Sequence, residues 1–176
     1  GYLYMACDRA GLQIADLTAP DSTTIVASLP MADQAWNVLV VDGIAYVSGY
    51  DEGLHIVDVS NPLAPVLLST LHTPGMVRDV TLDGNLVYIA DDEGGMQIGN
   101  VADPTDPRLI GSRDTNIHSA IAVAVADGAV LVADHTGGLA VAAVIAGLLW
   151  QADRPSGDAP VEAANESAAP EPAGVE

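Results

Sequence analysis

The sequence predicts an all-β fold, a β-propeller built of four-stranded blades of ~42 residues. Three marks carry that prediction. Glycine–apolar–x–apolar recurs at Gly11, Gly53, Gly95 and Gly138, spaced 42, 42 and 43 residues apart. Asp-Gly recurs at Asp42-Gly43, Asp83-Gly84 and Asp127-Gly128. An acid or amide stands four residues before proline at Asp16, Asp58 and Asn100. A period of about 40–50 residues belongs to solenoids and propeller blades. Within the unit the apolar residues alternate with period two, which describes strands and not helices.

The elements follow in order. Residues 1–42 hold strands over Tyr2–Cys7, Leu12–Leu17 and Thr24–Leu29, and Ala35–Val41 opens the next blade. This first blade is incomplete, because nothing supplies its innermost strand. Residues 43–83 and 84–127 repeat in register, with Val77–Leu82, Asn85–Ala90, Met96–Val101 and Arg108–Ser112 as one legible set of four strands. Residues 128–154 add Ala129–Ala133, Leu139–Ile145 and Leu148–Ala152. Asp-Gly suits tight hairpins because both residues tolerate positive φ. Asp16, Asp58 and Asn100 are expected to cap the backbone two residues on. Four blades with open ends would leave apolar faces and unpaired edges. The array is therefore expected to be part of a larger ring, or to be completed by a homodimer. Residues 155–176 are rich in Pro, Ala and Glu without apolar periodicity and are expected to form a disordered tail.

Composition narrows the function classes. The net charge of −19 comes from 24 acids against five arginines and no lysine. Such an acidic chain is a poor partner for nucleic acid or anionic lipid. The one long apolar run, Leu139–Trp150, is too short to cross a bilayer, so no membrane insertion is expected. The single cysteine, Cys7, excludes an intrachain disulfide and reads as a small core residue. No glycine-flanked nucleophilic serine, phosphate loop or His-Glu-x-x-His appears.

The second repeat also carries a resemblance. Gly53–Pro62 (GLHIVDVSNP), preceded by AYVSG and followed by PVLLSTLHTPG, resembles the LVIVD-repeat family of β-propellers. The similarity runs over about residues 1–154. It weakens in the fourth repeat, where Ala143–Gly147 replaces the Asp-Val-Ser-x-Pro segment. The resemblance implies a propeller fold and an exported, periplasmic or cell-surface location. It does not imply an activity.

Propeller connectivity gathers candidate residues on one rim. The turns between second and third strands bring Asp8, Asp51, Glu52, Asp91, Asp92, Glu93, Asp134 and His135. The inter-blade loops bring Asp33, His72, Arg78, Arg113, Asp114 and His118. Carboxylates with histidine are ligands for Ca²⁺ or another divalent cation, although Asp before Gly is equally turn chemistry. His72 and His118 are the candidates for general acid–base work. His55 stands where other repeats have Gln13, Gln97 or Ala140 and reads as a strand residue with a local partner. Trp36, Asn37, Arg78, Asp79 and Arg113 are the candidate binding residues. Trp36 is either a stacking platform or packing, and Arg78 with adjacent Asp79 is either an ion pair or a ligand contact.

The expectation from sequence is a non-catalytic binding scaffold whose protein or glycan ligand sits at the channel rim. The alternatives are a metal-dependent hydrolase or lyase using the rim carboxylates with His72 or His118, and a purely structural spacer.

Overall fold

The computed structural model describes residues 1–113, 119–135 and 138–143. The predicted strand over Leu148–Ala152, the tail 155–176, Asp114 and His118 lie outside them. Among the described residues the chain is all-β, with 14 strands and a single 3-10 turn at Pro20–Ser22.

The strands form four antiparallel sheets, each following the chain. The first holds β1 (Tyr2–Ala6), β2 (Leu12–Asp16) and β3 (Thr24–Leu29). The second holds β4 (Ala35–Val41), β5 (Ile44–Gly49), β6 (Gly53–Asp58) and β7 (Val66–Leu71). The third holds β8 (Asp79–Asp83), β9 (Leu86–Ala90), β10 (Met96–Asn100) and β11 (Arg108–Arg113). The fourth holds β12 (Ala120–Ala126), β13 (Ala129–Asp134) and β14 (Gly138–Ala143). These are propeller blades. Units counted from each Asp-Gly, such as 43–83, straddle two of them. The reason is that β4 and β8 hydrogen-bond to the strand after their own turn, so the blade begins one strand earlier.

The core lies between blades, in three slabs. Leu12 and Ile14 of the first sheet meet Ala45, Val47 and Val57 of the second. Tyr46, Leu54 and Ile56 leave the opposite face of that second sheet and meet Val80, Val87 and Ile89 of the third. Tyr88, Ala90 and Met96 then meet Val123, Val130 and Val132 of the fourth. Successive strand residues point to opposite faces, so an interior blade buries both. That is why β5 and β6 read as nearly continuous apolar runs.

The turns behave largely as their residues dictate. Asp16, Asp58 and Asn100 accept the backbone N–H of Thr18, Ser60 and Ala102 at 2.8, 2.8 and 2.9 Å. The hydrogen bonds to Thr18 and Ser60 hold the carboxyls of Asp16 and Asp58 below their ordinary range. Asp42-Gly43 and Asp127-Gly128 have positive φ at both residues, the geometry of a type I′ hairpin. Asp83-Gly84 differs. Asp83 is the last residue of β8, pairs with Leu86, and leaves Gly84-Asn85 as the two-residue loop. Here glycine takes the first loop position with φ +57°, the place a type II′ turn reserves for it.

Candidate functional site

A bulge at the start of each innermost strand builds the rim. In β4, Ala35 pairs with Gly49 and Val38 with Val47, so Trp36 and Asn37 together oppose Ser48. In the third blade Arg78 donates its N–H to the Ala90 carbonyl, while Asp79 also pairs with Ala90. In the fourth, Ile121 is the extra residue between Ala120 and Ala122. An extra residue bends its strand and re-aims side chains. Of each bulged pair in β4 and β8, one member stands at the rim and the other ties blades together.

The tying members are Asn37 and Asp79. Asn37 Nδ2 donates to Asp79 Oδ1 at 2.5 Å, and the Val123 N–H donates to Asp79 Oδ2 at 2.9 Å. One carboxylate thus joins the innermost strands of three blades. The sequence left Arg78–Asp79 open as an ion pair or a ligand contact, and the structure does not pair the two with each other. Arg78 reaches across to the turn after β9, where Nε and Nη2 both donate to Asp92 Oδ2, at 2.9 and 2.5 Å. Its long side chain finds an acceptor there, whereas the short Asp79 side chain is already taken by its neighbours.

The rim members form a strip. Trp36 stacks on Tyr50 with ring centroids 5.5 Å apart and planes inclined by 17°. The Arg78 guanidinium lies 4.5 Å from the Trp36 ring centre and 5.4 Å from that of Tyr50. Trp36 and Arg78 are one repeat apart, and so are Tyr50 and Asp92. The same pair of positions is therefore an aromatic stack in one blade and an ion pair in the next. Trp36 stays 51% exposed and Ile121 39%. Burial pushes the Asp92 carboxyl up, but hydrogen bonds from Ser119 and Arg78 and the Arg78 charge outweigh it and hold the carboxyl low.

The acids of the rim do structural work. Asp91 is fully buried and accepts from Thr73 Oγ1 at 2.6 Å and the Gly75 N–H at 2.9 Å, which pins the loop after β7 to the third blade. Burial raises its pKa against those two bonds. Asp33 accepts the Asp51 N–H at 2.7 Å, and Asp134 accepts the Ser119 N–H at 3.0 Å. The backbones of Asp8 and Asp92 exchange hydrogen bonds with Ala35 and Ala120 of the following blade. Asp51 and Glu93 line a hollow of about 430 Å³ with Pro74, Gly75, Met76 and Gly94. His135 is exposed on the turn after β13, and Arg113 is exposed at the end of β11. Among the described residues no three of these ligand types converge as a cation site would require.

The histidines divide similarly. His72 is exposed, and its Nδ1 donates to the Glu52 main-chain carbonyl at 2.9 Å. His55 is 2% exposed. Its Nδ1 meets Thr70 Oγ1 at 3.0 Å, the local partner expected for it, but buried Nε2 has none among the described residues and stands 3.7 Å from Glu52 Oε2. One repeat later Gln97 Nε2 donates to the Gly94 carbonyl at 2.6 Å. Burial keeps the His55 pKa below the ordinary imidazole value, against the raising effects of Glu52 and Asp33. Because the folded pKa lies below the unfolded one, the unfolded chain takes up this proton first. Stability from this residue is complete above about pH 6.5 and falls as pH drops below it. His55→Gln is expected to flatten the melting temperature below about pH 6.5. At pH 7.5 the variant should be at least as stable as the parent, since a buried unmade hydrogen bond costs about 1–3 kcal/mol. Thermal melts of both proteins across pH test this; parallel curves would show that His55 is not the acid-sensitive group.

The blade architecture agrees with the comparisons. The LVIVD repeat family matches residues 32–73 and 74–115, which coincide with the second and third blades. The computationally designed protein Ika4 superposes with a TM-score of 0.67 at 11% identity, over 81% of this chain and 85% of its own. The designed Ika8 superposes with a TM-score of 0.66 at 11% identity, over 84% of this chain and 44% of its own. The chain thus spans less than half the length of Ika8. Among curated proteins none matches.

Proposed function

We propose that this chain, a β-propeller module carrying two consecutive LVIVD repeats, is a non-catalytic binding scaffold of an exported or cell-surface protein. Its ligand sits on the strip Trp36–Tyr50–Arg78–Asp92. The single observation that carries the reading is the half-exposed Trp36 held rigid by Tyr50 and Arg78. A flat aromatic fixed in place before a ligand arrives loses little freedom on binding. The strip varies from blade to blade on a frame that does not, which is how repeated scaffolds acquire function. The buried carboxylates Asp91 and Asp92 support scaffold over enzyme, since each is spent on holding loops in place. Selection from peptide-display and glycan-array libraries tests the reading. Ligands recovered on the parent should be lost on Trp36→Ala, whose melting temperature should stay within a few degrees of the parent because the residue is half exposed. Ligands that ignore this substitution would place recognition elsewhere.

Assembly belongs to the same reading. The first sheet has three strands and leaves Tyr2, Leu3, Leu17 and Ile25 exposed. A second copy of the chain covers this blade and closes the ring, since exposed apolar residues and an unpaired strand edge favour association. Light scattering across a concentration series should give a stable dimer; a monomer at every concentration would remove the second copy from the proposal.

A further inference from the structure

We infer that the rim strip takes a neutral pyranose sugar, an inference that rests on the proposed binding role of that strip. Four features point to this chemistry. First, Trp36 is half exposed and its indole is held in a fixed orientation by Tyr50 and Arg78. The axial C–H groups of a pyranose present a matching flat apolar face, and the positive edge of C–H bonds is attracted to an aromatic quadrupole. Second, the polar groups beside it are charge-balanced. Arg78 is matched by buried Asp92, so the guanidinium offers its remaining donor without recruiting an ion. Arg78 spends Nε and Nη2 on Asp92, and among the described residues Nη1 has no partner to compete with a sugar hydroxyl. Third, the neighbouring hollow is polar where the strip is apolar. Asp51 follows Tyr50 in the chain, Met76 precedes Arg78 by two residues, and both line the hollow together with Glu93. Carboxylates accept two hydrogen bonds each from vicinal hydroxyls, so a second sugar ring entering the hollow finds acceptors in Asp51 and Glu93. Fourth, the net charge of −19 disfavours sulfated sugars, uronic acids and phosphosugars.

The test uses intrinsic fluorescence. The two tryptophans are Trp36 and Trp150, so Trp150→Phe leaves Trp36 as the only indole. This protein is titrated with gluco-, manno-, galacto- and N-acetylglucosamine oligosaccharides, and in parallel with peptides selected by display. The expected result is a saturable change in Trp36 emission with at least one neutral oligosaccharide. Affinity should fall about tenfold or more in Trp36→Ala, read by calorimetry, and less in Trp36→Phe, which keeps an aromatic face. Raising the salt should leave it unchanged, because no net charge is neutralised. If the sugars leave Trp36 unaltered while a selected peptide perturbs it, the sugar assignment is overturned and the rim site stands. If neither perturbs it, both are overturned. Binding of a sugar that survives Trp36→Ala, in a variant shown by circular dichroism to be folded, also overturns the assignment.

Discussion

Replacing Gly53 by alanine is expected to destabilise the protein by about 3 kcal/mol or more, enough to lower its urea midpoint clearly. Gly53 opens β6 with φ +103°, in a region that L residues rarely adopt, and that strain alone costs about 1–3 kcal/mol. Space is the second obstacle. A Cβ there would stand 2.3 Å from the Leu71 carbonyl oxygen and 2.9 Å from His72 Cα. Both are backbone atoms of the partner strand and its exit, so no side chain can swing aside. Relief requires β6 and β7 to part, and β6 is buried throughout the middle of the second blade. Gly84→Ala supplies the contrast. Its φ is +57° and nothing stands within 4 Å, so only the left-handed conformation is penalised, by about 1–2 kcal/mol. Urea denaturation of both variants decides the matter. Equal losses would mean that the close approach at Gly53 is relaxed at no cost.

The contrast between these glycines also shows what the sequence made legible. The repeat of Gly11, Gly53, Gly95 and Gly138 located the turns into β2, β6, β10 and β14, and all four have positive φ. Asp16, Asp58 and Asn100 were readable as caps because a short acceptor two residues before an N–H is a purely local arrangement. The bulges were not readable. Whether Arg78 and Asp79 face each other depends on one extra residue opposite Ala90, which is set by pairing across the strands and not by the order along one. The Trp36–Tyr50 stack escaped notice for the same reason: Tyr50 stands where the first and third blades carry Asp8 and Asp92, and nothing local in a Gly-Tyr-Asp turn announces a ring partner fourteen residues earlier. The rim as a place was legible from connectivity; the partners on it needed the register.

Register also explains why Asp79→Ala should be costly. Its carboxylate accepts from Asn37 Nδ2, from the Val80 N–H and from the Val123 N–H, at 2.5, 2.9 and 2.9 Å. Removing it strands donors on β4, β8 and β12 at once. Unmatched buried donors cost about 1–3 kcal/mol each; these are partly buried, so the expected sum is about 2–4 kcal/mol. Asp79→Asn should recover part of the loss, because its carbonyl oxygen still accepts, but its amide group cannot accept from the donor that Oδ1 or Oδ2 served. A double-mutant cycle with Asn37→Ala separates the inter-blade bond from the rest. If the bond between β4 and β8 matters, the two losses are sub-additive by about 0.5–3 kcal/mol. Hydrogen exchange then locates the effect. Amides of β4 and β12 should lose protection along with those of β8, since one side chain serves all three strands. Loss confined to β8 would reduce Asp79 to a local cap and leave the blades held together by their apolar slabs alone.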